Sequence, residues 1–394
     1  MQSYRLSDIV KIKNGKDHKM LSNGKYPVLG SGGIMRYVDN FLYDKPSVLL
    51  PRKGTLDNIQ YCDVPFWTVD TLYYTEVNTE LANPYYLYRY LSLLDLSNLD
   101  SGTGVPSMTF DNYYGLKIFL PSIEKQTKIA RVLQTLDKKI AVNRQINQNL
   151  EAMAKQLYDY WFVQFDFPNE EGKPYKSSGG EMVWNEKLKR EIPKGWEIRP
   201  LNSLITVKDG THESPKQQLE GRYLITSKHL LSSGIDYNTA YYISEEDYIA
   251  INKRSQVETN DILFSMIGTI GNKYLVAEKN VNFAIKNMAL LKTSKSMHIM
   301  YFLWLYLSSW DYKHYEFNAI SGSIQKFLSL DAMRNIPVPF NYDIAVAFNK
   351  QISNICQCII NLKEENIQLI KQRNELLPLL MNGQVSVNSD LSYD

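Results

Sequence analysis

The sequence lacks the features of a secreted or membrane protein. Its three cysteines, Cys62, Cys356 and Cys358, are an odd number, and their spacing fits neither a disulfide framework nor a zinc site. The N-terminal residues MQSYRLSDIVKIKNG contain no apolar core of a secretory signal. The most apolar stretch, Ile299 to Leu307, is too short to span a bilayer. These absences predict a soluble cytoplasmic protein.

Catalytic motifs are also missing. There is no G-x-x-x-x-G-K-S/T loop of the kind that binds phosphates in nucleotide hydrolases. The segment NPYY at 83–86 approaches an adenine-methyltransferase motif but lacks its second proline, and its position suits the start of a structural helix. An E-x-K spacing at 171–173 lacks the upstream residues of a nuclease, and the five histidines show no metal-ligand spacing. We therefore expect no catalytic residue, metal or cofactor on this chain, and a free-standing DNA methyltransferase or nuclease is the disfavoured enzyme alternative.

Net charge gives no clear sign of a partner. Lys and Arg number 44 against 42 for Asp and Glu, so the net charge is only +2. The apolar fraction of 44% is that of a globular protein, and 394 residues suffice for two or three domains. The basic residues are concentrated in loops, which is where a nucleic-acid contact would have to lie.

An internal repeat organises the chain. Four segments of residues 1–121 recur in the same order within residues 196–341, and the separation between matched segments grows along the chain, as loop insertions would cause. The pairs are LSDIVKIKNG and LNSLITVKDG, VLLPRKGTLDN and ILFSMIGTIGN, YYLYRYLSLLD and YFLWLYLSSWD, and SGTGVPSMTFD and SGSIQKFLSLD. We infer a duplicated domain.

Each copy is followed by a long amphipathic helix, the first over 123–162 and the second over 348–380. Their apolar residues alternate at spacings of three and four, which is the pattern of a coiled-coil seam. The first seam contains Ile129, Leu133, Leu136, Ile140, Leu150, Ala154, Leu157 and Trp161. The second contains Ile352, Ile355, Ile359, Leu362, Leu369, Leu376 and Leu380. Two such helices can bury their apolar seams against each other.

Polar residues interrupt both seams. Asn143 and Asn147 lie in the first, and they either fix the register of the helix pair or face solvent or a partner subunit. Asn366 and Arg373 interrupt the second. Pro378 is predicted to kink or fray the end of that helix, and the glycine at 383 is a plausible stop.

A helix of 40 residues is about 60 Å long. An antiparallel pair would carry one domain at each end, which suits a split DNA site whose halves lie about one helical turn (34–36 Å) or more apart. The helices would then set the distance between the half-sites.

The candidate DNA contacts are loop residues, and the alternative for each is a solvated surface side chain. In the first copy they are Lys13, Lys16, His18, Lys19, Lys25, Arg36, Arg52 and Lys53. In the second copy they are Lys208, Thr211, His212, Lys216, Arg222, Lys228, His229, Lys273, Gln325 and Lys326. Glycines in these loops, such as Gly15 and Gly210, are expected to mark turns.

The crossover QFDFPNEEGKPYKSSGGEMVWNEKLKREIPKGWEI, at 164–198, resembles the central region of specificity (S) subunits of Type I restriction–modification systems. The helices at 123–162 and 349–384 look like their two conserved helices, and DGTHESP at 209–215 resembles a loop of their target-recognition domains. Pro378 and Arg373 depart from the family pattern, so the resemblance does not fix how tightly the helices pair near the C-terminus.

The resemblance implies an α/β (α+β) fold with two target-recognition domains joined by two long antiparallel helices in a pseudo-two-fold ring. The expected divisions are a first recognition domain at 1–121, a first spacer helix at 122–165, a crossover at 166–195, a second recognition domain at 196–341, a second spacer helix at 342–384 and a tail at 385–394. The family S subunit has no catalytic centre, in agreement with the missing motifs.

The resemblance also implies partners: double-stranded DNA, two modification (M) subunits with S-adenosylmethionine, and two restriction (R) subunits with ATP and Mg²⁺. A recognition subunit of another methylation-based defence system is the alternative among binding proteins. The target bases do not follow from the sequence, because readout depends on a few placed side chains.

Overall fold

Short strands with buried apolar side chains build both halves of the chain. The computed structural model describes all residues except 55, 97–98, 100–105, 232–233, 238, 323–325 and 388–394. Its residues form two compact units, Met1–Ile140 with Leu369–Asp394, and Ala141–Gln368. Each long helix contributes residues to both units, and each unit is described by itself below.

The first unit contains nine strands and three short helices before its long helix, counted over the described residues. They are β1 (Gln2–Arg5), α1 (Leu6–Ile9), β2 (Val10–Lys13), β3 (Asn23–Gly30), β4 (Gly33–Val38), β5 (Ser47–Pro51), β6 (Gln60–Cys62), β7 (Trp67–Thr68), β8 (Leu72–Val77), α2 (Pro84–Leu91), α3 (Phe110–Tyr114) and β9 (Lys117–Leu120).

These strands form three small sheets. A four-stranded sheet has the order β2-β8-β5-β6, a three-stranded sheet has the order β4-β3-β7, and β1 pairs with β9. All pairs are antiparallel except β3 and β7. The central strand β5 is buried along its whole length, which explains its continuous apolar run SVLLP.

The predicted helix after residue 83 forms as α2. The Asn83 side chain accepts hydrogen bonds from the backbone N–H groups of Tyr85 and Tyr86, both at 3.1 Å, and Pro84 occupies the first helical turn. The NPYY segment is therefore a helix start, as its place in the repeat predicted.

The second unit begins with the crossover hairpin and repeats the same elements with additions. Its strands and helices are β10 (Met182–Asn185), β11 (Arg190–Pro193), β12 (Glu197–Pro200), β13 (Val207–Asp209), β14 (Arg222–Thr226), β15 (Leu230–Leu231), β16 (Gly234–Ile235), β17 (Tyr241–Ile243), α5 (Glu245–Ser255), β18 (Ile262–Ser265), β19 (Lys273–Leu275), β20 (Phe283–Lys286), β21 (Met288–Leu291), α6 (Met300–Tyr306), α7 (Trp310–Ala319), α8 (Leu330–Arg334) and β22 (Pro337–Phe340). We number the first long helix, Ile123–Tyr158, as α4 and the second, Tyr342–Met381, as α9.

The strand order of the second unit repeats that of the first. Its four-stranded sheet is β13-β21-β18-β19, its three-stranded sheet is β17-β14-β20, and β12 pairs with β22. The middle strand β14 again pairs parallel with one neighbour and antiparallel with the other. The additions are the β15–β16 hairpin and α5. The predicted duplication, with insertions that lengthen the second copy, is confirmed.

Both long helices form where the seams predicted them. The turn that follows α4, Asp159–Val163, is a π-helix, with a hydrogen bond from the Gln164 N–H to the Asp159 carbonyl at 2.8 Å. It carries Trp161 and Phe162, which are both buried. Both rings contact Phe348 in the aromatic cluster of the second unit.

The two helices pack antiparallel in each unit. In the first unit, Leu133 of α4 belongs to the same buried cluster as Leu377 and Leu380 of α9. In the second unit, Tyr158 near the end of α4 contacts Phe348 near the start of α9, with ring centroids 5.9 Å apart. Every predicted seam residue is at least partly buried.

The end of α9 corrects one prediction. The helix continues through Pro378 to Met381, and the Asn382 N–H still reaches the Pro378 carbonyl at 2.9 Å. Fraying at Pro378 is therefore wrong, because a proline removes its own N–H but leaves its carbonyl free to accept. The predicted stop at Gly383 is confirmed: its φ is +72°, and the Gln384 N–H bonds to the Leu379 carbonyl at 3.0 Å, as in a Schellman motif.

Candidate nucleic-acid interface

Two basic loops of the first unit are fixed to the same short segment. The Lys16 N–H donates to the Thr68 carbonyl at 2.8 Å, and the Trp67 indole N–H donates to the Lys16 carbonyl at 2.9 Å. The Arg52 N–H donates to the Thr71 carbonyl at 2.9 Å. The structure therefore brings the 15–19 and 52–53 loops together at the β7–β8 connection, although more than 30 residues separate them in the sequence.

An open cleft of about 710 Å³ lies at this meeting point. It is lined by the predicted residues His18 and Lys19 together with Asp17, Gly30, Ser31, Gly32, Met35, Val69, Asp70 and Thr71. The Nδ1 atom of His18 is buried and has no hydrogen-bond partner among the described residues. The cleft combines cations, carboxylates and backbone groups, a mixture that suits contacts to phosphates and base edges.

The other candidates of the first unit fall into two groups. Four exposed lysines form no ion pair with the described residues: Lys16, Lys19, Lys25 and Lys53. The remaining three have internal partners. Lys13 Nζ lies 3.5 Å from Glu76 Oε1, Arg36 Nη2 donates to the Leu21 carbonyl at 2.7 Å, and Arg52 Nη1 donates to the Asp70 carbonyl at 3.4 Å. Their role in DNA binding stays a prediction.

The second unit repeats the loop attachment at matched positions. The Thr211 N–H donates to the Ile285 carbonyl at 3.0 Å, and the Asn287 N–H donates to the Thr211 carbonyl at 3.1 Å. Lys286 Nζ also donates to the Ser214 hydroxyl. The DGTHESP loop is thus fixed to the β20–β21 connection, the counterpart of β7–β8.

A side-chain network that the sequence did not reveal holds this loop. His212 Nε2 lies 2.9 Å from Asp209 Oδ2, and His212 Nδ1 lies 3.0 Å from Asn287 Oδ1. Arg254, on the inserted helix α5, forms an ion pair with the other oxygen of the buried Asp209 carboxylate. Asn287 has a φ of +55°, so the network also fixes a left-handed residue. No sequence spacing links Arg254 or Asn287 to the loop.

Other candidates of the second unit remain at the surface. Lys216, Lys228 and Lys326 are exposed, and Lys208 is half-buried on β13. Arg222 pairs with Glu245, its Nε lying 2.8 Å from Oε2. Gln325 lies outside the described residues.

Two candidates are corrected because their side chains are used internally. His229 is fully buried, and its Nδ1 accepts a hydrogen bond from the Thr226 N–H at 2.9 Å, so the ring caps a turn. The ammonium of Lys273 donates to the Trp304 carbonyl and lines a separate cleft beside the long helices. Neither side chain belongs to the basic loop surface.

Close backbone approach explains the glycine at the start of each loop. A Cβ atom on Gly15 would lie 2.0 Å from the Val69 carbonyl oxygen, and one on Gly210 would lie 2.5 Å from the Ile285 carbonyl oxygen. The sequence predicted that these glycines mark turns. The structure shows a further role, because only a residue without a side chain lets each loop pack this closely against the strand connection.

Polar seam residues are buried in the helix pair. Asn143 Nδ2 donates to Asn366 Oδ1 at 3.1 Å and to Glu365 Oε2 at 2.7 Å. Asn147 is also buried, and its Oδ1 has no partner among the described residues. The solvent-facing alternative is wrong for this chain, and the Asn143–Asn366 bond supports a role in fixing register.

Arg373 forms an ion pair across the two long helices. In the first unit its Nη1 lies 2.9 Å from Asp137 Oδ1, across the helix pair. The same carboxylate accepts hydrogen bonds from Arg89 and from the Tyr85 hydroxyl. These three donors hold the pKa of Asp137 below its usual range, although burial acts in the opposite direction.

The family model described as the Type I restriction modification DNA specificity domain matches residues 1–152 and 193–376. The chain belongs to this family. Each matched region contains one copy of the repeat and most of the long helix that follows it, so the resemblance to this family is confirmed.

Several relatives are specificity subunits of Type I restriction enzymes. The chain is 27% identical over 314 residues to the MjaIX specificity subunit of Methanocaldococcus jannaschii, covering 77% of this chain and 68% of that protein. It is 23% identical over 413 residues to the MjaVIII specificity subunit of the same organism, covering 98% and 93%. The HindI specificity subunit of Haemophilus influenzae is 23% identical, and 72% of each chain is covered.

A solved structure supports the fold of this family member. The crystal structure of the S subunit of a Type I restriction–modification system from M. genitalium superposes with a TM-score of 0.59 at 17% identity, covering 96% of this chain and 95% of that one. The expected fold, two α/β recognition domains in tandem with long helices, is confirmed.

The described part of the chain contains neither a membrane-spanning helix nor a metal-binding cluster. No helix in it has the length and apolar character needed to cross a membrane. No group of three or more His, Cys, Asp or Glu side chains within the described ranges is placed to hold a metal ion.

Proposed function

We propose that this family member is the non-catalytic DNA-specificity subunit of a Type I restriction–modification complex, and that each recognition domain reads one half of a bipartite site. One observation carries the proposal. The same strand order occurs twice, and in both units a basic loop is attached through a close-packed glycine to the equivalent strand connection. Two equivalent surfaces with different side chains suit two half-sites of different sequence.

The helix pair supports a role in setting the spacing. Its seam residues are all at least partly buried, and the Asn143–Asn366 and Asp137–Arg373 contacts are specific to one register. A fixed register gives a fixed helix length between the domains, as a bipartite site requires.

An exposed apolar stripe on α4 supports docking of modification subunits. Val142, Ile146 and Met153 are 56%, 40% and 52% exposed, and each lies one residue before a buried seam position. Soluble surfaces seldom leave such a stripe uncovered. We propose that M subunits, two in the full complex, cover it and carry S-adenosylmethionine, while R subunits with ATP and Mg²⁺ complete a restriction complex in the cytoplasm.

Exchange of residues 1–121 for the matching domain of a relative tests the proposal. The reconstituted complex of chimera and M subunit should methylate a site in which one half changes and the other half and the gap stay the same. Sequencing of methylated adenines in the host genome measures both half-sites and the gap between them.

The matched control exchanges residues 196–341 instead and should change only the other half-site. If either exchange altered both halves together, independent reading by the two domains would be wrong. Methyl transfer by the purified chain without a partner would overturn the non-catalytic role.

A paired insertion tests whether the helix pair sets the gap between the half-sites. Seven residues inserted into both helices, after Arg144 in α4 and after Lys363 in α9, keep the seam pattern and add about 10 Å of helix. The gap between half-sites should grow by about three base pairs, since each base pair adds about 3.4 Å. Methylome sequencing reads the new gap directly.

A three-residue insertion at the same places is the control, because it rotates one seam away from the other and should prevent assembly. An unchanged gap with the seven-residue insertion would contradict a spacing role for the helices.

A recognition subunit of another methylation-based defence system remains the second candidate. The exposed stripe of α4 favours some docked effector without naming it. Purification of the chain from its native host with its associated subunits distinguishes the two, since only a Type I complex contains both M and R subunits.

A further inference from the structure

A cleft of about 410 Å³ in the second unit lies away from the basic loops. Its walls come from α4, α9, β19 and α6. They include three lysines, Lys155, Lys273 and Lys363, two carboxylates, Glu151 and Asp159, and the indole of Trp304. Apolar side chains, including Leu231, and the hydroxyl of Ser308 complete the lining. This volume is within the range of small-ligand sites.

One lysine of the cleft has no counter-charge. Lys363 Nζ lies 2.9 Å from Glu151 Oε1, and Lys155 forms an ion pair with Asp159 one turn along α4. Lys273 donates to the Trp304 carbonyl, and no carboxylate of the described residues lies within ion-pair distance of its ammonium. The cleft therefore holds one positive charge in excess.

The surroundings of Lys273 make that charge unfavourable in the empty cleft. Burial, and then the nearby ammonium of Lys363, lower the pKa of Lys273 to about 7. The ammonium groups of Lys273 and Lys363 lie 5.3 Å and 5.7 Å from the centre of the same Trp304 ring. Two cations thus lie near the same aromatic ring, and a bound anion would reduce the repulsion between them.

The first unit has a carboxylate, Asp137, where the aligned helix of the second unit has Cys356. There, Asp137 of α4 supplies a carboxylate to Arg89 and Arg373 where the recognition domain meets the helices. When the two seams are aligned so that Asn147 matches Asn366, Asp137 matches Cys356 of α9. Burial raises the pKa of Cys356 to about 12, so this thiol is neutral. The second unit has a neutral thiol at this position, and no carboxylate of the described residues pairs with Lys273.

We propose that the cleft beside Lys273 binds a small organic anion, whose carboxylate or phosphate pairs with the Lys273 ammonium and whose apolar part lies against Trp304 and Leu231. The bound anion supplies the counter-charge that Lys273 lacks among the described residues, and it joins β19 to α9. The site goes beyond DNA recognition and does not depend on it.

Calorimetric titration of the full-length chain with benzoate and with inorganic phosphate tests the proposal. We expect saturable binding at one site per chain. Affinity should fall as pH rises through about 7, because Lys273 then loses the proton that the anion needs. The charged or titratable groups around it are Glu151, Lys155, Asp159, Lys313, Glu316, Cys356 and Lys363.

Three variants localise the site. Lys273→Met, which keeps the apolar stem, should weaken binding by about tenfold or more, whereas Lys273→Arg should retain it. Cys356→Asp, which supplies an internal carboxylate, should also abolish binding. Lys45→Met removes an exposed lysine of the first unit that is not a candidate DNA contact and should leave binding unchanged. Thermal melts confirm that each variant is folded.

The anion could be free or be an acidic side chain of a docked M subunit, and a second titration on the assembled complex distinguishes them. If the docked chain supplies it, benzoate no longer binds in the complex and Lys273→Met weakens assembly; if it is free, benzoate binds chain and complex equally. Failure to assemble would count against the proposed function alone. Absence of saturable binding of either probe to the free chain, or unchanged binding by Lys273→Met or Cys356→Asp, would overturn the site.

Discussion

Replacing Asp137 by Asn should destabilise the first unit by about 3 kcal/mol, because removing one partner of a largely buried charge network leaves the others uncompensated. Asp137 accepts hydrogen bonds from Arg89, Arg373 and the Tyr85 hydroxyl. Arg89 is almost completely buried, so water cannot replace the lost carboxylate. The network also joins α2 to both long helices, and its loss loosens three elements together.

Hydrogen exchange measured by mass spectrometry should show this loss locally. Faster exchange is expected in α2 and in the parts of α4 and α9 that belong to the first unit, with little change in the second unit. Glu124→Gln is the matched control, because Glu124 forms only an exposed pair with Lys128 and should change stability by less than about 1 kcal/mol. Equal exchange in the two variants would contradict a stabilising role for the Asp137 network.

The effect of Asp137 has a defined pH dependence. Its pKa is lowered in the folded protein, so its contribution is complete above its unfolded pKa of about 3.9 and is lost as pH falls through the lower folded pKa. The stability difference between wild type and Asp137→Asn should therefore be constant near neutral pH and shrink only below about pH 4. A difference that vanished near pH 6 would point to another group.

The second large effect is expected at the loop glycines. Gly15→Ala should destabilise the first unit by about 3 kcal/mol or more, because its Cβ would lie 2.0 Å from a backbone carbonyl oxygen that cannot rotate away. Gly210→Ala should act in the same way in the second unit, where the separation is 2.5 Å. Both changes displace a basic loop, so DNA affinity should fall together with stability.

Gly32→Ala is the matched control for Gly15→Ala. Gly32 lines the same cleft, has no atom within 4 Å of its Cβ position and does not need a left-handed backbone. Its substitution should change the free energy of unfolding by less than about 1 kcal/mol. Denaturant unfolding followed by tryptophan fluorescence compares the two, and similar midpoints for both variants would show that the loop can move to accommodate a methyl group.

The sequence predicted most of the fold because its signals are local or repeated. Seam residues such as Leu133 and Ile352 show the helices, since a period near 3.5 places them on one face whatever lies around them. Four matched segments showed the duplication, and the two units indeed have the same strand order. The helix start at Asn83 and the stop at Gly383 also follow from residues within one turn of the chain.

The candidate site was predicted only in part. The sequence pointed to the loops that carry Lys16 and Lys216, and these lysines are exposed. It wrongly placed His229 and Lys273 among them, because composition does not tell whether a side chain turns inward. It also missed Arg254, which reaches Asp209 from an inserted helix 45 residues further along the chain.

The sequence alone determined the family, the repeat, the two helices and their antiparallel pairing. Each is encoded by residues that lie close together or recur at a fixed period. Only the tertiary structure decided that Asn143 bonds to Asn366 and that Arg373 strengthens the helix pair through Asp137. It also decided that the Lys273 ammonium, in its cleft, has no carboxylate partner among the described residues. These contacts join residues far apart in the chain, and the balance between burial and charge that fixes them exists only once the elements have packed.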